Sequence, residues 1–370
     1  MALFLKKWSY VLVSISGNVK QESVLKIFDK KLLGLLVSII FIILVLNQVD
    51  VRKSIETLKS FNVSCLLLAI PVYYFTFLIR GFRWRAILAR EESLKVLSLI
   101  SSTFIGFTTN CLLPARMGDL YRAHLFGKKE SIKRLEVLAS IVLERIFDGV
   151  ILFFMLLFSI LFIITKPWVY KVAYIAGSFF LSGFIVLLLF AKFKDSKFAL
   201  WLKKIITTLV FLNYIYNKLP EFIRNVLTKV FCKLNYMLCS FTDGLRIFHS
   251  LPLLLKSLFY TLLIWILEGC VTFIIISGFG IKITLLKAIF ILCVTVFSTM
   301  IPAGPGSIGP YQWGYILAMS LFNISRDAAF AISVVNQFTV LSLISLGGLF
   351  FMWKDHINIR ELEENIQTEQ

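Results

Sequence analysis

Between Leu32 and Trp353 the chain is a succession of apolar runs, and two of these runs end in breaks that hydrocarbon does not tolerate. The first, Leu94 to Leu113, leads into LLPARMGDLYR, Leu112 to Arg122; the second, Leu285 to Ile301, leads into PAGPGSIGP, 302–310. An unpaired backbone N–H or C=O in lipid costs several kcal/mol, so irregular backbone at membrane depth has to line a protein-enclosed or watery cavity. With 58% hydrophobic and 16% charged residues and a mean hydropathy of +0.85, the chain lies outside the range of soluble globular domains. The expectation is an all-α polytopic membrane protein whose function sits at the two breaks.

The other runs read as spans: Leu32–Leu46, Ser64–Ile79, Glu136–Ile164, Trp168–Ala191, Leu253–Ile276 and Ala328–Trp353. Leu32–Leu46 is short of the roughly 20 residues a spanning helix usually needs, and Pro71 should kink the second run. The run Ser64–Ile79 ends on a basic collar of Arg80, Arg83, Arg85 and Arg90, with Trp84 at the expected interfacial level. If Leu94–Leu113 crossed the membrane, strongly basic loops would face both sides. A re-entrant hairpin, entering and leaving on one face, removes that conflict. Six full spans plus two re-entrant hairpins, about eight hydrophobic segments in all, then leave both termini cytoplasmic. With the loops drawn this way, cytoplasmic segments hold 29 of the 39 Lys and Arg and external segments hold 8.

The two breaks echo each other. Pro114-Ala115-Arg116-Met117-Gly118 aligns with Pro302-Ala303-Gly304-Pro305-Gly306 at an offset of 188, and at that same offset Arg80-Gly81 falls on Glu268-Gly269 and Asp148 on Asn336. Matching interruptions in two halves point to an inverted-topology repeat with its binding site where the breaks meet. The organisation expected is a cytoplasmic arm (1–31), a first membrane half (32–191), a connector (192–251), a second half (252–353) and an acidic tail (354–370). In the connector, apolar residues from Phe222 to Phe241 fall on a helical stripe that would lie on the cytoplasmic membrane surface.

The formal net charge of +18 could suggest nucleic acid, but the basic residues flank apolar runs instead of gathering on a polar domain, and topology and anionic headgroups explain them more simply. Six scattered cysteines without a CxxC and three widely spaced histidines predict neither a disulfide framework nor a metal site. Lys6, Lys7 and the run Trp8–Ile15 lack a small-residue cleavage site, so the arm reads as mature chain and not as a signal peptide. No cofactor is expected.

Arg116, Asp119 and Arg122 follow one another at i,i+3, so on a helix beginning after Pro114 the aspartate can reach either arginine. Two guanidinium forks near one carboxylate suit a phosphate; a cation-rich cytoplasmic loop is the plainer alternative. Glu144, Arg145 and Asp148 share about one turn inside a span, where each ionisable group costs on the order of 2.5–3.5 kcal/mol on the most lenient scale, so they pair internally or face a cavity. Arg80, Arg83 and Arg116 are the partners available for a purely structural ion pair. Glu268, alone in its span, is either a counter-ion for an arginine of the other half or a proton site. In the second break Gly304, Gly306 and Gly309 supply flexibility, and the helix opening near Pro310 exposes N–H groups that could hold an anion or merely form a tight kink.

At these residues the sequence resembles a known family, the flippase-like transmembrane domain of lysylphosphatidylglycerol synthetases, including its stand-alone members. The likeness rests on N-x-x-L-P-A-R-x-G-D/E-x-x-R (Asn110 to Arg122, with Pro114, Arg116, Gly118 and Asp119), on E-R-x-x-D (Glu144, Arg145, Asp148) and on P-G-x-I-G (Pro305 to Gly309), across about Leu32 to Trp353. Asp119 stands where glutamate is commoner, and Gln312 stands where members often carry glutamate. The resemblance implies a multi-pass protein of the cell (inner) membrane that moves or handles a lipid with a charged or glycosylated headgroup, alone or beside a lipid-modifying enzyme. Fused members carry a large soluble aminoacyltransferase domain, so lysyl transfer by this polypeptide alone is not expected. Rival readings are a membrane-embedded transferase using a polyprenyl-phosphate donor, for which Asp50, Glu56 and Asp327 are the external carboxylates, and a non-transporting partner of such an enzyme.

Overall fold

A computed structural model describes residues 36–89, 93–112, 117–163, 166–193, 240–301 and 303–357, and every regular element among them is helical. In chain order the α-helices are α1 (Leu36–Leu46), α2 (Val51–Lys59), α3 (Leu66–Ile87), α4 (Val96–Leu112), α5 (Met117–Lys129), α6 (Arg134–Phe162), α7 (Pro167–Phe193), α8 (Leu251–Ser277), α9 (Leu285–Ser298), α10 (Pro310–Met319) and α11 (Arg326–Lys354). Five stretches are long and apolar enough to cross a membrane: Val63–Ile87, Arg134–Phe162, Pro167–Leu189, Leu251–Ser277 and Arg326–Lys354. Each coincides with an expected span. The sixth, Leu32–Leu46, is described only from Leu36, as the short apolar helix α1. The N-terminal arm, the connector up to Cys239 with most of its apolar stripe, and the acidic tail beyond Ile357 lie outside the described residues.

Both runs expected to break are pairs of short helices, α4 with α5 and α9 with α10. Local chemistry explains the second break: Gly306 and Gly309 have φ of 70° and 102°, backbone that a β-carbon disfavours, and Pro310 opens α10 where its missing N–H is harmless. Elsewhere helix starts are capped by Asp50, Thr284 and Ser325, each accepting from a backbone N–H two or three residues on.

α3 departs from the span and basic collar expected over Ser64–Arg90. The helix runs through the supposed collar to Ile87, and Pro71 lies inside it without ending it. Arg80, Arg83 and Trp84 are 5%, 0% and 0% exposed, so they are interior groups and not an interfacial belt. Their partners, described below, sit on neighbouring helices at the same depth, and pairing overrides the tendency of arginine to mark a membrane surface.

Among the described helices α3 and α8 pack most extensively on each other, α4 packs on α3, α5 and α11, and α9 packs on α8, α10 and α6. α4 and α11 approach closely: a β-carbon at Gly348 would lie 1.9 Å from Thr108 Oγ1, and that hydroxyl donates to the Ile344 carbonyl at 2.9 Å. Small residues at such crossings let helices gain van der Waals contact where lipid offers no hydrophobic drive. Large apolar side chains on the outside, such as Leu67, Phe162, Tyr174 and Phe338, are more than 60% exposed. In water that surface would aggregate; against acyl chains it is the natural exterior.

Candidate functional site

Most of the buried charges gather in one cluster on α3, α5, α6 and α8. Arg83 divides its fork between two carboxylates of α6, Nη2 to Glu144 Oε1 and Nη1 to Asp148 Oδ1, both at 2.5 Å. Glu144 and Asp148 are one helical turn apart and face α3, so a single guanidinium spans them. The other oxygen of Glu144 lies 3.1 Å from Arg122 Nη1 on α5, and the Arg122 guanidinium lies 3.6 Å from the centroid of the buried Trp84 ring. Trp84 directs its own N–H to Ser140 Oγ at 3.0 Å. From α8, Trp265 Nε1 donates to Asp148 Oδ1 at 3.0 Å. Four arginines (80, 83, 122, 145) thus face four carboxylates (119, 144, 148, 268).

The accessible edge of the network is the pair Arg145 and Asp119. Arg145 grips the carboxylate with two nitrogens, Nη2 to Oδ1 at 3.1 Å and Nε to Oδ2 at 3.3 Å. Its side chain is 32% exposed and that of Asp119 18%, against 0–11% for the other members. Phe107 lies under the Arg145 guanidinium at 5.1 Å. Asn110 ties the end of α4 to the start of α5, donating to Asp119 Oδ1 at 3.3 Å while its own carbonyl accepts from Gly118 N at 2.8 Å. Gly118 is there because backbone meets backbone: a β-carbon would stand 2.1 Å from the Gly106 carbonyl oxygen.

Polar satisfaction is incomplete at the buried end. Arg122 Nε, Nη1 and Nη2, Glu144 Oε2 and Asp148 Oδ2 have no aligned hydrogen bond although each is shielded from solvent. Ion pairing and stacking offset only part of the desolvation of a fully buried guanidinium. The cluster therefore holds unmet hydrogen-bonding capacity next to a charged, partly open edge.

The second break has a different chemistry. Gly309 N donates to Gln312 Oε1 at 2.7 Å, Gly304 N donates to Ser38 Oγ of α1 at 2.9 Å, and Gln337 Nε2 donates to the Gly306 carbonyl at 2.7 Å. Gln312 and Gln337 bond to each other, and Asn336 donates to the hydroxyls of Tyr311, at 3.1 Å, and Tyr315. The N–H groups of Gly304 and Gly309 are thus engaged within the protein, and the helix start does not present them to an anion. A cavity of about 200 Å³ opens beside Gln312 and Gly309, walled by Ile42, Val45, Phe330 and Val334.

Of the residues singled out from sequence, Arg80, Arg83, Asn110, Gly118, Asp119, Arg122, Glu144, Arg145, Asp148 and Glu268 belong to the first network, and Gly304, Gly306, Gly309 and Gln312 to the second. Pro114 and Arg116 lie outside the described residues. The expected partnership of Asp119 with Arg122 does not form: α5 aims Arg122 inward at Glu144 and Trp84, and Asp119 turns to Arg145 of α6. Glu268 is the counter-ion of Arg80, at 3.0 Å, the first of the two roles open to it from sequence. Trp84, Phe107 and Trp265 were missed as network members; an indole N–H within an apolar run, three residues from Glu268, was the available signal for Trp265.

Residues 31–348 match the family described as the lysylphosphatidylglycerol synthase TM region. The chain belongs to this family. A UPF0104 membrane protein of Pyrococcus horikoshii is 24% identical over 335 residues, 87% of this chain and 97% of the relative. A UPF0104 membrane protein of Methanocaldococcus jannaschii is 24% identical over 246 residues, 65% of this chain and 92% of that one. Glycosyltransferase AglD of Haloferax volcanii is 31% identical over 117 residues, 31% of this chain but 19% of AglD. No solved structure matches the chain. The helices and the family together make this a multi-pass membrane protein.

Proposed function

We propose that this protein is a lipid-handling transporter that receives a charged or glycosylated headgroup at the Arg145–Asp119 edge while the acyl chains stay in lipid. The observation that carries the reading is a charge network, nearly all of it buried among apolar helices, whose one partly open edge adjoins the broken run. Structural ion pairs would be closed off entirely; this network keeps an arginine fork and a carboxylate within reach, next to a fully buried Arg122 with unmet hydrogen-bonding capacity. An anionic or zwitterionic headgroup can exchange with Asp119 at Arg145, which lowers the barrier to carrying charge through hydrocarbon.

The proposal includes the finer topology: two halves, 32–191 and 252–353, each with a re-entrant hairpin, α4 with α5 and α9 with α10, related as inverted repeats. Its support is that long, short, short and long helices follow in the same order in α3–α6 and α8–α11, and that each packing of one set has its counterpart in the other. The distribution of basic residues supports a cytoplasmic position for both termini in the cell membrane. The test is leaflet-resolved translocation of fluorescent phosphatidylglycerol in proteoliposomes. Wild type should equilibrate the leaflets, and Arg145→Ala should stop this while still inserting; wild-type vesicles no faster than protein-free ones would end the reading.

The partial match to AglD favours one rival, a component of glycosyl transfer onto a polyprenyl carrier. Against it, both carboxylates are engaged at the start of α2, Asp327 Oδ1 accepting from Asp50 N at 2.7 Å and the Asp50 carboxylate capping the helix. Formation of a glycosylated product from a labelled polyprenyl-phosphate sugar by the purified protein would establish it.

A further inference from the structure

Arg80 and Glu268 are 188 residues apart, the offset that carries Pro114 onto Pro302 and Asp148 onto Asn336, and they touch: Arg80 Nη2 donates to Glu268 Oε1 at 3.0 Å. Each is followed by a glycine packed on an isoleucine of the next short helix, the second isoleucine standing one position beyond the strict offset. A β-carbon at Gly81 would lie 2.6 Å from Ile100 Cγ1 of the following short helix, and one at Gly269 would lie 2.6 Å from Ile289 Cγ1 of its counterpart. A two-fold rotation exchanges equivalent positions, so a residue can meet its own equivalent only on or beside the axis. Packings away from the axis occur in exchanged pairs, here α4 on α11 and α6 on α9.

The members of that exchanged pair differ. α4 and α11 are drawn together at Gly347 and Gly348, with Thr108 Oγ1 bonded to Ile344 O at 2.9 Å and Tyr74 OH of α3 bonded to Leu343 O at 3.3 Å. At the positions equivalent to the two glycines α6 carries Ser159 and Ile160, and α6 meets α9 through branched and aromatic side chains of one apolar core. Near the axis, by contrast, polar links join the halves: Arg80 with Glu268, Asp148 with Trp265, and Arg83 with Thr261.

We infer that the Arg80–Glu268 pair is the pivot on which the two halves rock, and that this structure is one end arrangement, with α4–α11 closed and α6–α9 less close. The inference rests on the transport reading for its purpose, though not for its geometry. A contact on the axis keeps the same partner when the off-axis packings exchange, so the buried guanidinium and carboxylate never separate during the motion. Phe107 and Phe77, 5.4 and 5.8 Å from the Arg80 guanidinium, hold it in place.

The experiment is electron–electron distance measurement between spin labels, on full-length protein lacking its six cysteines, in nanodiscs of phosphatidylcholine and phosphatidylglycerol. The label pairs use exposed positions: Leu97 with Leu346 for α4–α11, Phe158 with Leu285 for α6–α9, and the equivalent residues Leu67 and Leu255 across the pivot. Gly348→Leu should lengthen the first distance, shorten the second and leave the third unchanged; Gly347→Ala provides the same wedge in a milder form if the leucine variant does not fold. A second distance that stays fixed while the first lengthens, or a third that moves with them, overturns the pivot. Arg80→Ala should broaden the third distribution, and R80E with E268R should narrow it again; a narrow distribution in Arg80→Ala removes the ion pair from the role. None of these distances needs lipid to move, so failure of translocation alone would count against transport and not against the pivot.

Discussion

Asp148 and Asn336 stand 188 residues apart, the offset at which the two breaks align, and their surroundings hold two different chemistries. Asp148 sits among charges, bound to Arg83 at 2.5 Å and to the Trp265 indole at 3.0 Å. Asn336 sits among neutral groups, donating to Tyr311 and Tyr315 beside a glutamine pair that closes the glycine-rich turn. The neutral cluster ties its loop down with hydrogen bonds that need no counter-ion. The charged cluster depends on every member, because removing one partner of a buried pair strands the other in a medium that cannot solvate it. The first region is thus suited to exchanging a bound ion for a ligand's, and the second to holding a bend.

Substitutions in the two clusters test this difference. The largest expected effect is that of Glu144→Ala, which leaves Arg83 with one carboxylate and Arg122 with none among the pairs described; about 3–5 kcal/mol of stability should be lost, read as a fall in the thermal midpoint in detergent. A midpoint within a degree or two of wild type would mean that solvent reaches those arginines. Asn336→Asp comes next: it introduces a carboxylate with no cation beside it, and about 3 kcal/mol of destabilisation is expected by the same measurement. Its mirror, Asp148→Asn, keeps an acceptor for Trp265 and Arg83 while removing one charge, and should lose about 1–3 kcal/mol, less than its counterpart. If the two exchanges prove equally harmful, the clusters do not differ in the way argued. Gln312→Ala deletes the acceptor of Gly309 N and should lose about 1–2 kcal/mol. At the bottom of the range, Lys129→Ala removes a surface pair with Asp355 and should change stability by about 1 kcal/mol or less.

The residues themselves indicate why some of this was legible beforehand. Arg80, Arg83, Glu144, Arg145, Asp148 and Glu268 stand out in apolar runs because a charge there is expensive, so their involvement could be read without coordinates. The interruption between Leu112 and Met117 and that at the glycines of 304–309 were legible for the same reason, since chain chemistry that forbids a continuous helix is local. Partner choice was not local. That Asp119 serves Arg145 and not Arg122, three residues along its own helix, follows from how α5 lies on α6. Trp84 looked like an interfacial aromatic until α3 was seen to carry it inward against Arg122.

Apolar run length and the position of proline, glycine and charge along the chain determined that this protein is a bundle of membrane helices with two interrupted segments, because those properties act over a single turn of backbone. Only the packing of α3, α5, α6 and α8 decided which arginine meets which carboxylate, which edge remains open and that position 80 meets position 268, because electrostatic partners are selected by distance in three dimensions and the chain folds residues far apart in sequence onto one another.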